Sequence, residues 1–140
     1  MNDLTGRRIL VTGAASGIGA ATARRCAAAG AIVIAADRVD PKDTSGLADG
    51  HEHVVLDVAN AERVAEVVAG LGQIDGLVNA AGISIPGGIA QLDTAAWQKI
   101  LDVNLTGTML VCKHVTEHLL SSQRQGSIVN VSSIYGLTGG

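Results

Sequence analysis

The chain has 140 residues, of which 47% are hydrophobic and only 1% aromatic, with a formal net charge of −3 and a pI near 5.7. A chain of this length fits one hydrophobic core, and its apolar content argues against disorder. An acidic balance offers no basic footprint to nucleic acid or an anionic membrane, and no apolar run approaches the about 18 residues of a membrane span.

The core must be built from Ala, Val, Ile and Leu. Glycine, at 18 residues, is nearly twice its usual share. Aliphatic strands with glycine-rich turns suit a buried parallel sheet whose backbone approaches something closely. Asp3, Arg7 and Arg8 precede the first apolar run, unlike a secretory leader. Cys26 and Cys112 lie far apart in no ligand-like spacing, as buried thiols in a reducing compartment do. The expected location is the cytoplasm.

In chain order, Ile9–Val11 is the first short aliphatic run, and Gly17 to Ala29 is an Ala-rich helical stretch stopped by Gly30. Ala31–Ala35 and Val54–Leu56 are two further runs, each without a polar alternate face. Between these two, Arg38–Glu52 has Pro41, Gly46 and Gly50 and holds at most a short helix. Asn60 can cap a helix whose apolar face is Val64, Val67, Val68 and Leu71, closed by Gly70 or Gly72. Ile74–Val78 is the fourth run. The longest helix is predicted from about Thr94 to Leu120, with Trp97, Leu101, Thr108, Cys112, Val115 and Leu119 as one stripe that Asn104 interrupts. Ile128–Val131 is the fifth run. Alternating strands and helices with short links predict right-handed βαβ units and a doubly wound α/β fold with a parallel sheet.

The first run leads into Thr12-Gly13-Ala14-Ala15-Ser16-Gly17-Ile18-Gly19 and then into a helix. Gly13 permits a sharp exit from the strand, and Gly17 and Gly19 leave no Cβ between backbone and ligand. The helix N-terminus presents N–H groups and a positive dipole to a pyrophosphate. Asp37, at the end of the second strand, can accept both hydroxyls of an adenosine ribose and would repel a 2′-phosphate. A glycine-rich turn is usually only a turn, and an acid at a strand end is usually solvated. Strand, turn, helix and acid in this order favour the dinucleotide reading. Asn104 is a poor helix former whose amide must find partners, and the plain reading is a tie to a neighbouring loop. Ser133 follows the fifth strand, at the carboxyl edge where open α/β sheets bind ligands.

The T-G-x-x-x-G-x-G spacing of residues 12–19 resembles that of the short-chain dehydrogenase/reductase family, residue for residue. Four further segments resemble it in order. Asp57-Val58 matches a pair that contacts adenine, and Asn79-Ala80-Ala81-Gly82 matches an Asn-Asn-Ala-Gly turn, with Ala80 replacing the second Asn. Asn104 matches a catalytic asparagine that holds a water of a proton relay, and Ser133 matches the catalytic serine. The resemblance runs from about Leu4 to the end and implies a Rossmann sheet of order 3-2-1-4-5 lacking the family's last strands. It implies pyrophosphate on Gly13, Ser16, Gly17, Ile18 and Gly19, with Asn79, Ala80 and Gly82 passing beneath the cofactor. The basic Arg38 can favour NADP in the family, whereas Ser16, where NADP-preferring relatives often carry Lys or Arg, points to NAD. NAD is therefore expected. The implied activity is hydride transfer between NAD and a secondary alcohol or ketone, in a homo-oligomer (tetramer or dimer) that uses the long helix.

The family's Tyr and the Lys four residues after it should begin a little over a dozen residues beyond Ser133, past Gly140. Tyr135 is too close to Ser133, Gly139 stands where its Lys would be, and no catalytic role is assigned to it. The expectation is one dinucleotide-binding domain over residues 1–140, the cofactor half of a longer enzyme and inactive alone. In that case the fifth strand's outer edge and part of the Trp97 stripe would be exposed. A non-catalytic NAD-binding module is the alternative, and Tyr-x-x-x-Lys after residue 140 would discriminate. A third reading is zinc on His114-Val115-Thr116-Glu117-His118, an H-x-x-E-H pattern. It lacks an evident third ligand, since His51 and His53 belong elsewhere, so no metal is expected.

Overall fold

The computed structural model describes residues 3–42 and 46–138. Five parallel strands form one sheet: β1 (Arg8–Thr12), β2 (Ile32–Asp37), β3 (Glu52–Val55), β4 (Gly76–Asn79) and β5 (Ser127–Asn130). Their order is β3-β2-β1-β4-β5, with α1 (Gly17–Ala28) after β1 and α2 (Ala61–Gly70) after β3. Each predicted run overlaps one strand. Successive β1 residues serve opposite faces. Ile9 and Val11 pack with Ala23, Val33 and Ala35, and Leu10 packs with Ile34, Val64, Leu77, Val111 and Val115. A strand with apolar cover on both faces needs no polar alternate positions, which is why the runs read as unbroken aliphatics.

The predicted face of α2 is observed: Val64, Val67 and Val68 are buried, and Asn60 Oδ1 accepts the Arg63 N–H at 3.0 Å. Burying each valine stabilises the fold by about 1.5–3 kcal/mol. The stretch after Arg38 holds no helix among its described residues, and 43–45 lie outside them.

The long helix departs from expectation. It consists of α3 (Thr94–Leu101), a π-helical segment (Asp102–Gly107) and α4 (Thr108–Ser121). A wider turn shifts the helical phase, so the stripe is not continuous. Val111, Val115 and Leu119 are buried on α4, while Trp97 is half-exposed and Thr108 and Cys112 are partly covered. The Thr108 hydroxyl donates to the Asn104 carbonyl at 2.9 Å, a bond from side chain to preceding turn that competes with the regular ladder. Gly107 allows the segment to sit on the third strand's exit, since a Cβ there would lie 2.7 Å from Val58 Cγ2.

At the amino end of the sheet the buried Asp75 joins β1, β4 and the entry to β5. Its carboxylate accepts the Arg8 N–H at 2.9 Å, the Gln73 amide at 2.9 Å and Arg124 Nη2 at 3.0 Å. The Arg8 guanidinium in turn pairs with Glu52 of β3. All residues of β5 are exposed, and it forms the sheet edge.

Candidate functional site

The crevice residues lie where the strands end. β1 exits through Gly13, whose φ of +69° is a conformation that L side chains rarely adopt. A Cβ on Gly13 would meet Ala80 and Ala81 backbone at 2.8 Å, and one on Gly19 would lie 2.0 Å from the Gly13 carbonyl oxygen. The turn is thus closed against its own helix on one side and against the β4 exit on the other. Gly17 differs: at φ +51° its Cβ position faces open space. That open position is where a ligand could approach the backbone.

The three helix starts contrast. Asn60 caps α2 and Asp93 caps α3, the latter accepting the Ala95 and Ala96 N–H groups at 2.6 and 3.2 Å. Ser16 precedes α1 with no side-chain cap, and the first turn of α1 holds no acid. The leading N–H groups of α1 are therefore left with their positive dipole uncompensated, the arrangement that accommodates a phosphate. Ile18, in this turn, is exposed.

Asp37 and the glycine-rich turn are directly linked. Asp37 Oδ2 accepts the Ala15 N–H at 3.0 Å and Oδ1 accepts the Val39 N–H at 3.2 Å. Arg38 is exposed beside it. Asp57 is exposed and accepts the Ala59 N–H at 2.9 Å, whereas the Val58 side chain is buried against Gly107. Only the main chain of Val58 is left to meet a ligand.

Across the sheet ends runs a polar row in strand register, Thr12↔Asn79↔Asn130. The buried Thr12 hydroxyl accepts the Ala80 and Ala81 N–H groups at 3.2 Å each, and donates to Asn79 Oδ1 at 3.4 Å. Asn79 Nδ2 donates to Asn130 Oδ1 at 2.9 Å and to Cys112 Sγ at 3.3 Å. Asn130 was not named from the sequence, and Cys112, expected there only as a buried thiol on the helix stripe, is partly covered and meets this row. Thr12 lies within the glycine motif, but only register reveals what its hydroxyl holds.

Asn104 lies on the π-helical segment and pairs with the main chain of Ile83, just after Gly82. The tie to a neighbouring loop expected of a helical Asn is therefore present. Ser133 begins a short 3₁₀ turn, Ile134–Gly136, and its Oγ accepts the Tyr135 N–H at 3.2 Å. Its own O–H is left to donate outward. Ser132, Ser133, Ile134, Gly136 and Leu137 border a shallow, open surface concavity. His114 Nδ1 pairs with Glu117 at 3.0 Å, and no group of three metal-ligating side chains occurs among the described residues.

A parallel sheet of order 3-2-1-4-5 with a glycine-rich turn between β1 and α1 defines a nucleotide-binding Rossmann fold. The sequence model described as short chain dehydrogenase matches residues 7–140, and the chain belongs to that family of oxidoreductases. It is 43% identical to cis-4-hydroxycyclohexanecarboxylate dehydrogenase of Sinomonas cyclohexanicum, over 95% of this chain and 57% of that protein. It is 40% identical to a 3-oxoacyl-acyl-carrier-protein reductase of Thermotoga maritima, over 97% of this chain and 59% of that protein. Aldohexose dehydrogenase of Thermoplasma acidophilum superposes with a TM-score of 0.83 at 36% identity, over 93% of this chain and 50% of that one. The chain thus spans a little over half the length of the curated relatives it matches. No helix among the described residues is long and apolar enough to cross a membrane.

Proposed function

We propose that this chain binds NAD and belongs to an enzyme that interconverts a secondary alcohol and its ketone. The observation that carries the reading is the contrast at helix starts: α2 and α3 carry side-chain caps, and α1 alone meets an open, glycine-lined approach. Gly13, Ser16, Gly17, Ile18 and Gly19 would hold the pyrophosphate and Asp37 the adenosine ribose. Asp57 and the main chain of Val58 would meet adenine, with Asn79, Ala80 and Gly82 under the nicotinamide half. When bound, NAD supplies the two-electron acceptor that takes hydride from a carbinol carbon, while the hydroxyl proton leaves to a base.

The residues of this chain do the holding. Asp37, anchored by the Ala15 N–H, keeps a carboxylate at the ribose position and disfavours a 2′-phosphate, so NAD is preferred over NADP. The Ser133 O–H, with its oxygen already accepting from Tyr135, is a donor for the substrate oxygen. Asn104 fixes the loop at Ile83 beside it and in this reading also serves a proton relay. No Tyr-x-x-x-Lys lies between Ser133 and Gly140. The reading is therefore tested on this chain by binding, with turnover attributed to the whole enzyme. The two thiols suit the cytoplasm. The exposed Trp97, Leu105, Met109 and Leu120 of the long helix suit a homo-oligomer.

The test is a fluorescence titration with NADH and NADPH. Saturable NADH binding, stronger than NADPH binding, is expected. No binding of either nucleotide would refute the reading.

A further inference from the structure

The π-helical segment makes contacts in two directions. Toward the β3 exit, Gly107 is buried, and a Cβ there would lie 2.7 Å from Val58 Cγ2 and 3.1 Å from Val58 Cβ. Toward the β4 exit, Asn104 exchanges two hydrogen bonds with the Ile83 main chain. A Cβ on Gly82 would lie 3.5 Å from Asn104 Oδ1. The Gly107 contact is fixed, because Gly107 runs directly into α4, whose Val111, Val115 and Leu119 are buried in the core. The Asn104 contact is made by one exposed side chain, so it depends on how the helix before Gly107 is rotated.

That rotation is set at Thr108. In a regular α-helix the Thr108 N–H would bond to the Asn104 carbonyl, four residues back. Here it bonds to the Leu105 carbonyl. The Thr108 hydroxyl takes its place, donating to the Asn104 carbonyl at 2.9 Å. One residue thus supplies two donors to the wide turn, and the side-chain donor acts on the residue whose amide grips Ile83. A serine keeps that donor, and a valine of nearly the same shape removes it. Without the hydroxyl, the replacement partner for the Asn104 carbonyl is the N–H of residue 108, in the regular ladder. That pairing narrows the turn and rotates the helix before it by up to one residue's step, about 100°. Asn104 then swings away from Ile83 while Gly107 stays on Val58.

We infer that Thr108 is a positioning residue: its hydroxyl holds the wide turn that keeps Asn104 on Ile83, and so orders the β4 exit under the nicotinamide half of the cofactor. The inference rests on the NAD reading for the ligand, whereas the link from Thr108 through Asn104 to Ile83 belongs to the fold alone. Asp37 and Asp57, at the adenosine end, are oriented instead by the Ala15, Val39 and Ala59 N–H groups. The two ends of the cofactor should therefore respond differently to loss of the hydroxyl.

The experiment compares Thr108→Val and Thr108→Ser with the parent by amide hydrogen exchange and by titration with NADH and with ADP-ribose, which lacks the nicotinamide. Thr108→Val should speed exchange at Ile83 about fivefold, while the amide of the buried Leu10 keeps the parental rate. NADH affinity should fall about three- to tenfold with ADP-ribose affinity unchanged, and Thr108→Ser should restore both readouts. Parental exchange at Ile83 in Thr108→Val would overturn the inference. So would equal acceleration at Leu10, an equal loss of both affinities, or failure of serine to rescue. If neither ligand binds the parent, the NAD reading falls, and exchange at Ile83 against Leu10 still decides the role of Thr108.

Discussion

Asn104 is bonded to Ile83 as one strand is to another: its Nδ2 donates to the Ile83 carbonyl at 2.9 Å and its Oδ1 accepts the Ile83 N–H at 2.8 Å. Ile83 follows the Asn79–Gly82 turn, so the amide clamps the β4 exit to the π-helical segment. Both bonds are exposed, and removing them should cost about 0.5–1.5 kcal/mol. For Asn104→Ala we expect a small drop in melting temperature together with faster hydrogen exchange of the Ile83 amide. An Ile83 amide that exchanges at the parental rate would show that the clamp does not hold this loop.

Gly17 and Gly19 are two residues apart and should respond differently to the same methyl group. In Gly19→Ala the new Cβ meets the Gly13 carbonyl, a main-chain group that cannot yield without opening the turn. The expected outcome is a loss of about 3 kcal/mol or more, read by urea unfolding. In Gly17→Ala the methyl meets nothing, and the cost is that of a left-handed Ala, about 1–2 kcal/mol. Gly17→Ala should therefore stay folded while its NADH affinity falls. A Gly17→Ala protein that binds NADH as the parent does would remove Gly17 from the proposed pyrophosphate cradle.

Much of this site could be read from the chain because its pieces are local. Strand, glycine turn and helix follow one another within residues 8–28, and the aliphatic runs overlap all five strands. The Asn104 tie was legible as a need for partners, but Ile83, 21 residues away, was not. The phase slip at Asp102–Gly107 was invisible to a count of apolar spacings, which assumes one helical period throughout. Val58 resembled a ligand contact by position, and only packing shows its side chain committed to Gly107. The polar row of Thr12, Asn79 and Asn130 depends on strand register, which no single segment encodes.

Asp75 supplies a prediction about pH. Burial alone would raise its pKa, but the Arg8 N–H, the Gln73 amide and the Arg124 guanidinium together outweigh that and hold the carboxyl below its usual range. A group with a depressed folded pKa stabilises the fold above its unfolded value of about 3.9, and the contribution is lost as pH falls through the folded value. Asp75→Asn should cost about 2–3 kcal/mol near neutral pH, since a charged acceptor of several hydrogen bonds becomes neutral. The gap between the two proteins should shrink in acid. Urea unfolding at pH 7 and again at about pH 3 would check this. A gap of the same size at both values would mean that the Asp75 charge contributes nothing.

Asp37 joins cofactor choice to the shape of the turn. Its Oδ2 accepts the Ala15 N–H and its Oδ1 the Val39 N–H, so the carboxylate is oriented before any ligand arrives. Lone pairs not used in these bonds remain for ribose hydroxyls, while its charge opposes a 2′-phosphate. Asp37→Ser removes the charge and keeps an oxygen near the Ala15 N–H, so the turn should persist with little loss of stability. Arg38 stands exposed next to it and would then be the nearest charge to a 2′-phosphate. The ratio of NADH to NADPH affinity should fall about tenfold or more, a change of about 1.4 kcal/mol in relative binding. Parallel titrations of the parent and Asp37→Ser with both nucleotides would measure it. If both affinities fall by the same factor, Asp37 acts through the Ala15 bond on the turn itself. If only the ratio changes, the carboxylate discriminates between the nucleotides directly, as its position at the end of β2 implies.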